Sequence, residues 1–322
     1  MIPGYLWQTK RTKMIENYQP LGFGVYHLDS HYFKPGVASF YCIVHNDEVA
    51  VIETGTSHSL PFLQQFLKDL NLSPEQVKYI IPTHVHLDHA GGAGVMMQAC
   101  PNAQLIIHPR GARHMIDPTK LIAATKEVYG EPLYNRIYGD IPAIDEARVV
   151  VAQHESSFYL NDRELFIVDT PGHAYHHFCV VDSFSKGIFT GDTFGLSYPN
   201  LIYQHKRVVL PTTTPIHFNP QALMNSIDLL MSFNPERIYL THFNMLPDPK
   251  SVVDQYKRSV DDFVQLTESV KPVDDSLLPI LMNEMGKMIS SQFEFNQDLI
   301  INQLANDIKL NSQGLAFWYQ NR

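Results

Sequence analysis

The sequence predicts an α/β fold in which two mixed β-sheets pack face to face with helices outside, followed by a helical carboxy-terminal appendage. Three observations predict it. Strand-like and helical runs alternate from Phe23 to Pro109, the pattern of a mixed sheet joined by crossover helices. A second strand-rich stretch begins at Arg148 and suggests a second sheet packed on the first. Beyond Met245 strand-like runs stop and only helical spacings remain.

Taken in order, FGVYHLD, ASFYCIVHN and VAVIETG between Phe23 and Gly55 are rich in β-branched and aromatic residues, which suit a half-buried pleated surface. Ser59 and Pro61 open a helix whose Phe62, Leu63, Phe66, Leu67 and Leu70 share one face. VKYII at 77–81 and QLIIHP at 104–109 are strands. Residues 110–147 change character: TKLIAATKEVYG and EPLYNRIYG read as helices with Tyr129, Tyr134 and Tyr138, forming an insertion over a sheet face. RVVVA, FYL, ELFIVDT, HFCVVD and GIFTGD follow as strands with hairpin turns at Asn161-Asp162 and at 183–186. Asn219-Pro220 starts a helix bearing Leu223, Ile227, Leu230 and Met231, and RIYLTH at 237–242 is read as the last strand. Val252 to Phe263, Leu278 to Ile289 and Ile300 to Ile308 mark three amphipathic helices before a GLAFWY tail. The expected organisation is a main α/β domain over 1–245, carrying the 110–147 insertion, and a helical extension over 246–322.

Composition narrows the function. A chain of 322 residues with 44% hydrophobic and 18% charged residues is an ordinary globular one. Its formal charge of −9, without a dense basic run, argues against a nucleic-acid surface, which needs cations to displace phosphate counterions. The amino-terminal MIPGYLWQTKRTKM has two basic clusters but no apolar stretch of signal-peptide length, and no later segment is apolar enough to span a bilayer. These features lead us to expect a cytoplasmic protein without membrane or nucleic-acid partners. Cys42, Cys100 and Cys179 are odd in number and far apart, so they are expected as buried thiols rather than disulfides.

Chemistry concentrates in PTHVHLDHAGGAG at 82–94, where His84, His86, Asp88 and His89 place four metal-ligand side chains in six residues. His84 and His86 are two apart and project to one side of an extended backbone. Asp88 and His89 follow at the turn into a helix, so one loop can address two neighbouring cations. Imidazole and carboxylate suit zinc, and also iron or manganese. Gly91 and Gly92 let the next helix start close to whatever is bound.

This H-x-H-x-D-H motif, behind a strand and ahead of glycines, resembles the metal-binding signature of the metallo-β-lactamase superfamily. TPGH at 170–173, FTGD at 189–192 and YLTH at 239–242 match that family's later motifs in order. The resemblance spans about residues 20–245 and implies an αββα sandwich. It also implies two metal ions, most simply zinc: His84, His86 and His173 hold one, Asp88, His89 and His242 the other, and Asp192 bridges. The implied reaction is hydrolysis of a small molecule by metal-activated hydroxide, with Asp88 or Asp192 handling a proton. Lactones, esters, thioesters, β-lactams and isothiocyanates are candidate substrates. Alternatives on the same fold are a di-iron oxygen-binding or sensing protein, disfavoured by His86 where that branch carries a carboxylate, and a glyoxalase-like thioesterase.

Glu53 of VIETG stands where the family more often has aspartate, and its expected role is to orient a metal ligand by hydrogen bond. Tyr198, after Asp192, occupies a position from which some superfamily lactonases direct a tyrosine hydroxyl at a substrate oxygen. His176 and His177 are expected to reinforce the loop after His173. The aromatic tail, Phe317, Trp318 and Tyr319, is a candidate to close the pocket or a homodimer interface.

Overall fold

A computed structural model describes residues 18–213 and 216–322. The amino-terminal basic clusters and Thr214-Pro215 lie outside the described residues, as does the Tyr129 side chain. Strands β1 (Tyr18–Gly22), β2 (Val25–Asp29), β3 (Ser39–His45), β4 (Glu48–Ile52), β5 (Val77–Ile81), β6 (Gln104–Ile107) and β7 (Val149–Val151) form the first sheet in sequence order. It is antiparallel through β4 and parallel from β4 to β7. In chain order, β8 (Ser157–Leu160), β9 (Arg163–Asp169), β10 (Phe178–Asp182) and β11 (Gly187–Leu196) precede a small hairpin, β12 (Ile202–Tyr203) and β13 (Lys206–Arg207), and then β14 (Arg237–His242) and β15 (Asn244–Pro247). The second sheet runs β15-β14-β11-β10-β9-β8, with only the β11–β14 pair parallel.

The two-residue period of the strands sorts side chains between layers. From β3, Tyr41 and Ile43 point between the sheets, where they join Ile52, Ile81, Ile167, Val180, Phe189 and Tyr239. Phe40 and Cys42 point the other way, into a core shared with α1 (Leu60–Asp69) and α3 (Ala93–Ala99). The Tyr41 hydroxyl donates to the Leu240 carbonyl at 2.5 Å and so ties the sheets together. All three cysteines are free and buried.

Several local readings change. Four strands escaped the pattern reading: the two-residue β12 and β13 of the small hairpin, and β1 and β15, which are both sheet edges; β15 ends on Pro247, where a missing N–H is tolerated. The strands therefore continue past Met245. Ser59 does not cap α1 with its side chain but donates to the Ser30 carbonyl at 3.2 Å, whereas Asn219 accepts from Ala222 N at 2.9 Å and caps α7 (Pro220–Ser232) as expected. Within 110–147 lie α4 (Ala112–Ile116), α5 (Thr119–Tyr129) and α6 (Glu131–Ile137). Ala112, Met115 and Ile144 pack with Leu105 and Ile107 on the outer face of the first sheet, as expected of an insertion over a sheet face, while Tyr134, Ile137 and Tyr138 cluster with Leu87 of the histidine motif and with Tyr32, so the insertion also leans on the motif.

The carboxy-terminal helices are α8 (Val253–Val270), α9 (Leu278–Phe293), α10 (Gln297–Asn302) and α11 (Ala305–Gln320). The expected third helix is thus split at Gln303-Leu304, and the GLAFWY segment is the last part of α11 rather than a tail. Their buried residues share one apolar cluster with Leu196, Leu223, Ile238 and Leu240, so the extension packs directly on the outer face of the second sheet. No helix among the described residues is long and apolar enough to cross a membrane.

Candidate metal centre

The ends of β5, β9 and β14 and the interior of β11, which continues past Asp192 to Leu196 rather than ending there, bring the candidate ligands together. β5 ends at Ile81 and releases residues 82–86, which enter the short helix α2 (Leu87–Ala90) carrying Asp88 and His89. The β9–β10 connection carries His173, and Phe178 N donates to the Thr83 carbonyl at 3.0 Å, locking that connection to the motif across the sheets. Parallel pairing of β11 with β14 sets Gly191 opposite Leu240 and Leu196 opposite His242. Asp192 and His242 therefore reach the same end of the sandwich.

The donors form two sets. His84 Nε2 lies 2.8 Å from His86 Nδ1, and His173 Nε2 lies 3.3 Å from that same Nδ1, so three nitrogens converge. In the second set His242 Nε2 and His89 Nε2 lie 3.4 and 3.7 Å from Asp88 Oδ2. Asp192 faces both: Oδ2 is 3.3 Å from His173 Nε2, while Oδ1 is 3.3 Å from His89 Nε2 and 3.5 Å from His242 Nε2. The structure thus gathers all seven sequence-predicted ligand positions.

The other nitrogen of most of these rings is anchored, which fixes the tautomer and the direction of the lone pair. His89 Nδ1 donates to Glu53 Oε1 at 3.0 Å, His173 Nδ1 to the Thr212 carbonyl at 3.0 Å, and His242 Nδ1 to the Val37 carbonyl at 2.9 Å. His84 Nδ1 meets the Thr83 hydroxyl at 3.0 Å, and that hydroxyl donates to Glu53 Oε1 at 2.6 Å. Glu53, His84 and His89 also lie close enough together to resemble a third cation site. Glu53 Oε1, however, already accepts from Thr83, His89 and Thr241, and Oε2 accepts from Thr83 N. Its place is to hold His89, the orienting role expected from the sequence.

Close packing fixes the scaffold behind these groups. His177 reaches Asp192 N at 3.2 Å and the Thr170 hydroxyl at 2.9 Å. Gly191 has φ +48°, and a Cβ there would stand 2.4 Å from Thr83 Oγ1 and 2.5 Å from His177 Nε2. A side chain at 191 would displace both buttresses. Gly92 is similarly confined, with a Cβ position 2.5 Å from the Thr54 carbonyl oxygen, and its amide donates to Thr54 Oγ1.

The electrostatics of the two sets differ. Burial, reinforced by neighbouring imidazoles, drives His84 and His86 well below the ordinary histidine range, and burial also lowers His173 against the pull of Asp192. Burial acts in the same direction on His89 and His242, but Asp192 and Asp88 outweigh it: His89 rises well above its usual value and His242 rises to about 9. Burial alone would raise the carboxyls of Asp88 and Asp192, yet the facing histidines hold both below the usual range.

These residues fit metal cations. His89 Nε2 and Asp192 Oδ1 are buried and, among the described residues, hydrogen-bond to nothing; their 3.3 Å separation is an ion-pair distance without hydrogen-bond geometry. A buried polar atom without a partner costs about 1–3 kcal/mol, and a cation between them would satisfy both. Neutral imidazoles on one side and carboxylates that attract positive charge on the other make a donor set of the right chemistry for two divalent ions.

Comparison with known proteins agrees. The family model described as the metallo-beta-lactamase superfamily matches residues 33–242, which is most of the chain and every donor above. The chain belongs to the metallo-β-lactamase superfamily. A metallo-beta-lactamase fold-containing protein of Sulfurisphaera tokodaii is 26% identical over 229 residues, covering 70% of this chain and 79% of that protein. An acyl-coenzyme A thioesterase of Gallus gallus is 23% identical over 54% of this chain and 64% of its own length. Among solved structures, a metallo-beta-lactamase family protein of Thermus thermophilus superposes with TM-score 0.64 at 18% identity, covering 94% of this chain and 95% of its own. This superfamily chain is an enzyme of hydrolase type with a metal-binding group.

Tyr198 lands beside the centre, but with an unforeseen partner. Ser197 N donates to the His242 carbonyl at 2.5 Å, which places Tyr198 next to that ligand, and its hydroxyl donates to Asp307 Oδ1 of α11 at 3.2 Å. Burial pushes the Asp307 carboxyl up to about 6, with Asp192 adding to the rise and His242 and Tyr198 opposing it. Asn311, one turn on, was equally unforeseen. Its side chain accepts from Thr213 N at 2.7 Å and donates to the Pro211 carbonyl at 2.9 Å. Thr212 between them holds His173, and its hydroxyl donates to the Asp192 carbonyl at 3.0 Å. Nothing local to α11 marks these two residues; their partners lie about a hundred residues earlier.

Proposed function

We propose that the chain is a dinuclear zinc hydrolase of a small molecule with an electrophilic carbon, of lactone, ester, thioester, β-lactam or isothiocyanate type. The observation that carries the reading is Asp192, with one carboxylate oxygen turned to each donor set. His84, His86 and His173 would hold one zinc ion, and Asp88, His89 and His242 the other. When bound, such ions lower the pKa of water from about 16 towards 7 and polarise an attacked carbonyl.

The chain's own residues orient and move protons. Glu53, Thr212 and Val37 fix the imidazoles, so little reorganisation is left for the reaction itself. Among the described residues Asp88 has no anchor of the kind that pins Glu53, and it faces His242; it is placed to accept a proton from the attacking water and pass it to the leaving group. Asp192 keeps the two sets at a fixed separation. The thioesterase among the relatives supports including thioesters in the panel.

The test is a substrate panel covering the five classes, run on zinc-loaded and chelator-treated protein. Turnover of at least one class that vanishes with chelation and returns with zinc is expected. Metal-replete protein that hydrolyses none of the five would overturn the reading.

A further inference from the structure

The carboxy-terminal helix reaches the metal centre at two points on one face. Asp307 and Asn311 are four apart, hence stacked along one side of α11. Asn311 is buried and grips Thr213 and Pro211, which fixes how far along the centre α11 sits. That register delivers Asp307 to the Tyr198 hydroxyl, a residue 109 positions away in the chain. Tyr198 is 3% exposed and adjoins His242. Its phenol is driven well above the ordinary tyrosine range by burial and by Asp307, Asp192 and Asp88, so it remains a hydrogen-bond donor and is committed to Asp307.

Asp307 lies in the first turn of α11, where the free N–H groups of a helix N-terminus favour a carboxylate. It has no cationic partner, however: among the described residues no lysine, arginine or histidine forms an ion pair with it, although carboxylates in such surroundings are ordinarily paired. It lies within electrostatic reach of Asp192 and His242. A carboxylate is an acceptor only, with more lone pairs than one tyrosine hydroxyl uses. It suits a partner bearing N–H or O–H and repels one bearing a second carboxylate or a phosphate.

Building on the proposed hydrolase activity, we propose that Asp307, held by Tyr198, is a substrate-recognition residue that accepts a hydrogen bond from an amide N–H, hydroxyl or ammonium group on the part of the substrate extending from the metals toward α11. The helical extension then sets specificity, and the preferred substrates are hydrogen-bond donors rather than anions at that position.

The test uses the full-length zinc-loaded protein and matched members of whichever electrophile class it hydrolyses: one with a secondary amide beside the scissile group, one with that amide N-methylated, and one with a carboxylate there. Wild type is expected to prefer the N–H compound over the N-methyl compound by roughly tenfold in kcat/KM and to disfavour the carboxylate. Asp307→Leu should bring the N–H to N-methyl ratio close to one. Asp307→Asn, which keeps size and an acceptor oxygen, should retain part of that ratio while relieving the discrimination against the carboxylate. Zinc content, measured alongside, should stay at the wild-type value. A wild-type ratio near one overturns the assignment, as does a ratio that survives Asp307→Leu. Should Asp307→Leu fail to fold, an Asp307→Asn protein that discriminates against the carboxylate as strongly as wild type overturns it too. Hydrolysis without donor preference sinks only this inference, whereas no hydrolysis of any class sinks the hydrolase reading beneath it.

Discussion

The two halves of the metal centre are built from similar ligands and supported in different ways. His84, His86 and His173 are kept neutral by burial and by one another, and His173 is aimed by a backbone carbonyl that α11 holds in place through Asn311. Asp88, His89 and His242 are dominated by carboxylates, and His89 is aimed by the buried Glu53. One set is shaped by packing from the end of the chain. The other is shaped by charge from within the sandwich. Similar ligand types can therefore differ in what weakens them, and Asp192 is where the two supports meet.

The comparison breaks most completely at Asp192. Asp192→Asn should impair both sets together, lowering zinc stoichiometry below two per chain and turnover on the order of a thousandfold or more, read by metal analysis and steady-state kinetics. Full zinc content with unchanged turnover would show that no bridging carboxylate is needed. Glu53→Gln separates the sets. It should weaken the second by about 10- to 100-fold in affinity, measured by competitive chelation, with the first set changing much less. Equal loss at both would mean that Glu53 acts mainly through Thr83 and His84.

Asn311→Ala sharpens the other side with a smaller effect. Zinc affinity of the set containing His173 should fall by about tenfold or less, again by competitive chelation, while the set containing His242 is spared. The last effect is on stability and leaves metal affinity aside. A carboxyl whose folded pKa is raised above its unfolded value of about 3.9 binds more protons folded than unfolded. Folded stability should therefore decline as pH rises from about 4 to about 6, and the cost persists at neutral pH. Asp307→Asn removes that cost and should stabilise the chelator-treated protein by up to about 3 kcal/mol at pH 7, seen in denaturant unfolding, with no gain at pH 3. A destabilised Asp307→Asn would show that the carboxylate is there to hold the fold.

What the sequence disclosed follows the range of the forces involved. VKYII matches β5 residue for residue because a buried parallel strand is a short apolar run with clear ends. The seven candidate donor positions were legible because each motif lies in or directly after a strand-like run and carries its own chemistry, although β11 runs on past Asp192 to Leu196 instead of ending there. Edge strands were not: β15, NMLP, has little apolar pattern and makes sense only beside β14. Asp307 and Asn311 read as ordinary polar positions of an amphipathic helix, since their meaning resides in contacts with Tyr198 and Thr213 made after the chain has closed on itself. The Tyr198 position was visible, but the partner that commits its hydroxyl was not.

The central claim is that seven side chains brought together by β5, β9, β11 and β14 form one two-ion centre with unequal halves. Calorimetric titration of chelator-treated protein with zinc tests it most directly. The account predicts two ions per chain with two separable affinities, accompanied by release of protons as the second set gives up the protons that Asp88 and Asp192 hold on His89 and His242. A single ion per chain, or two bound with no proton release at neutral pH, would contradict it.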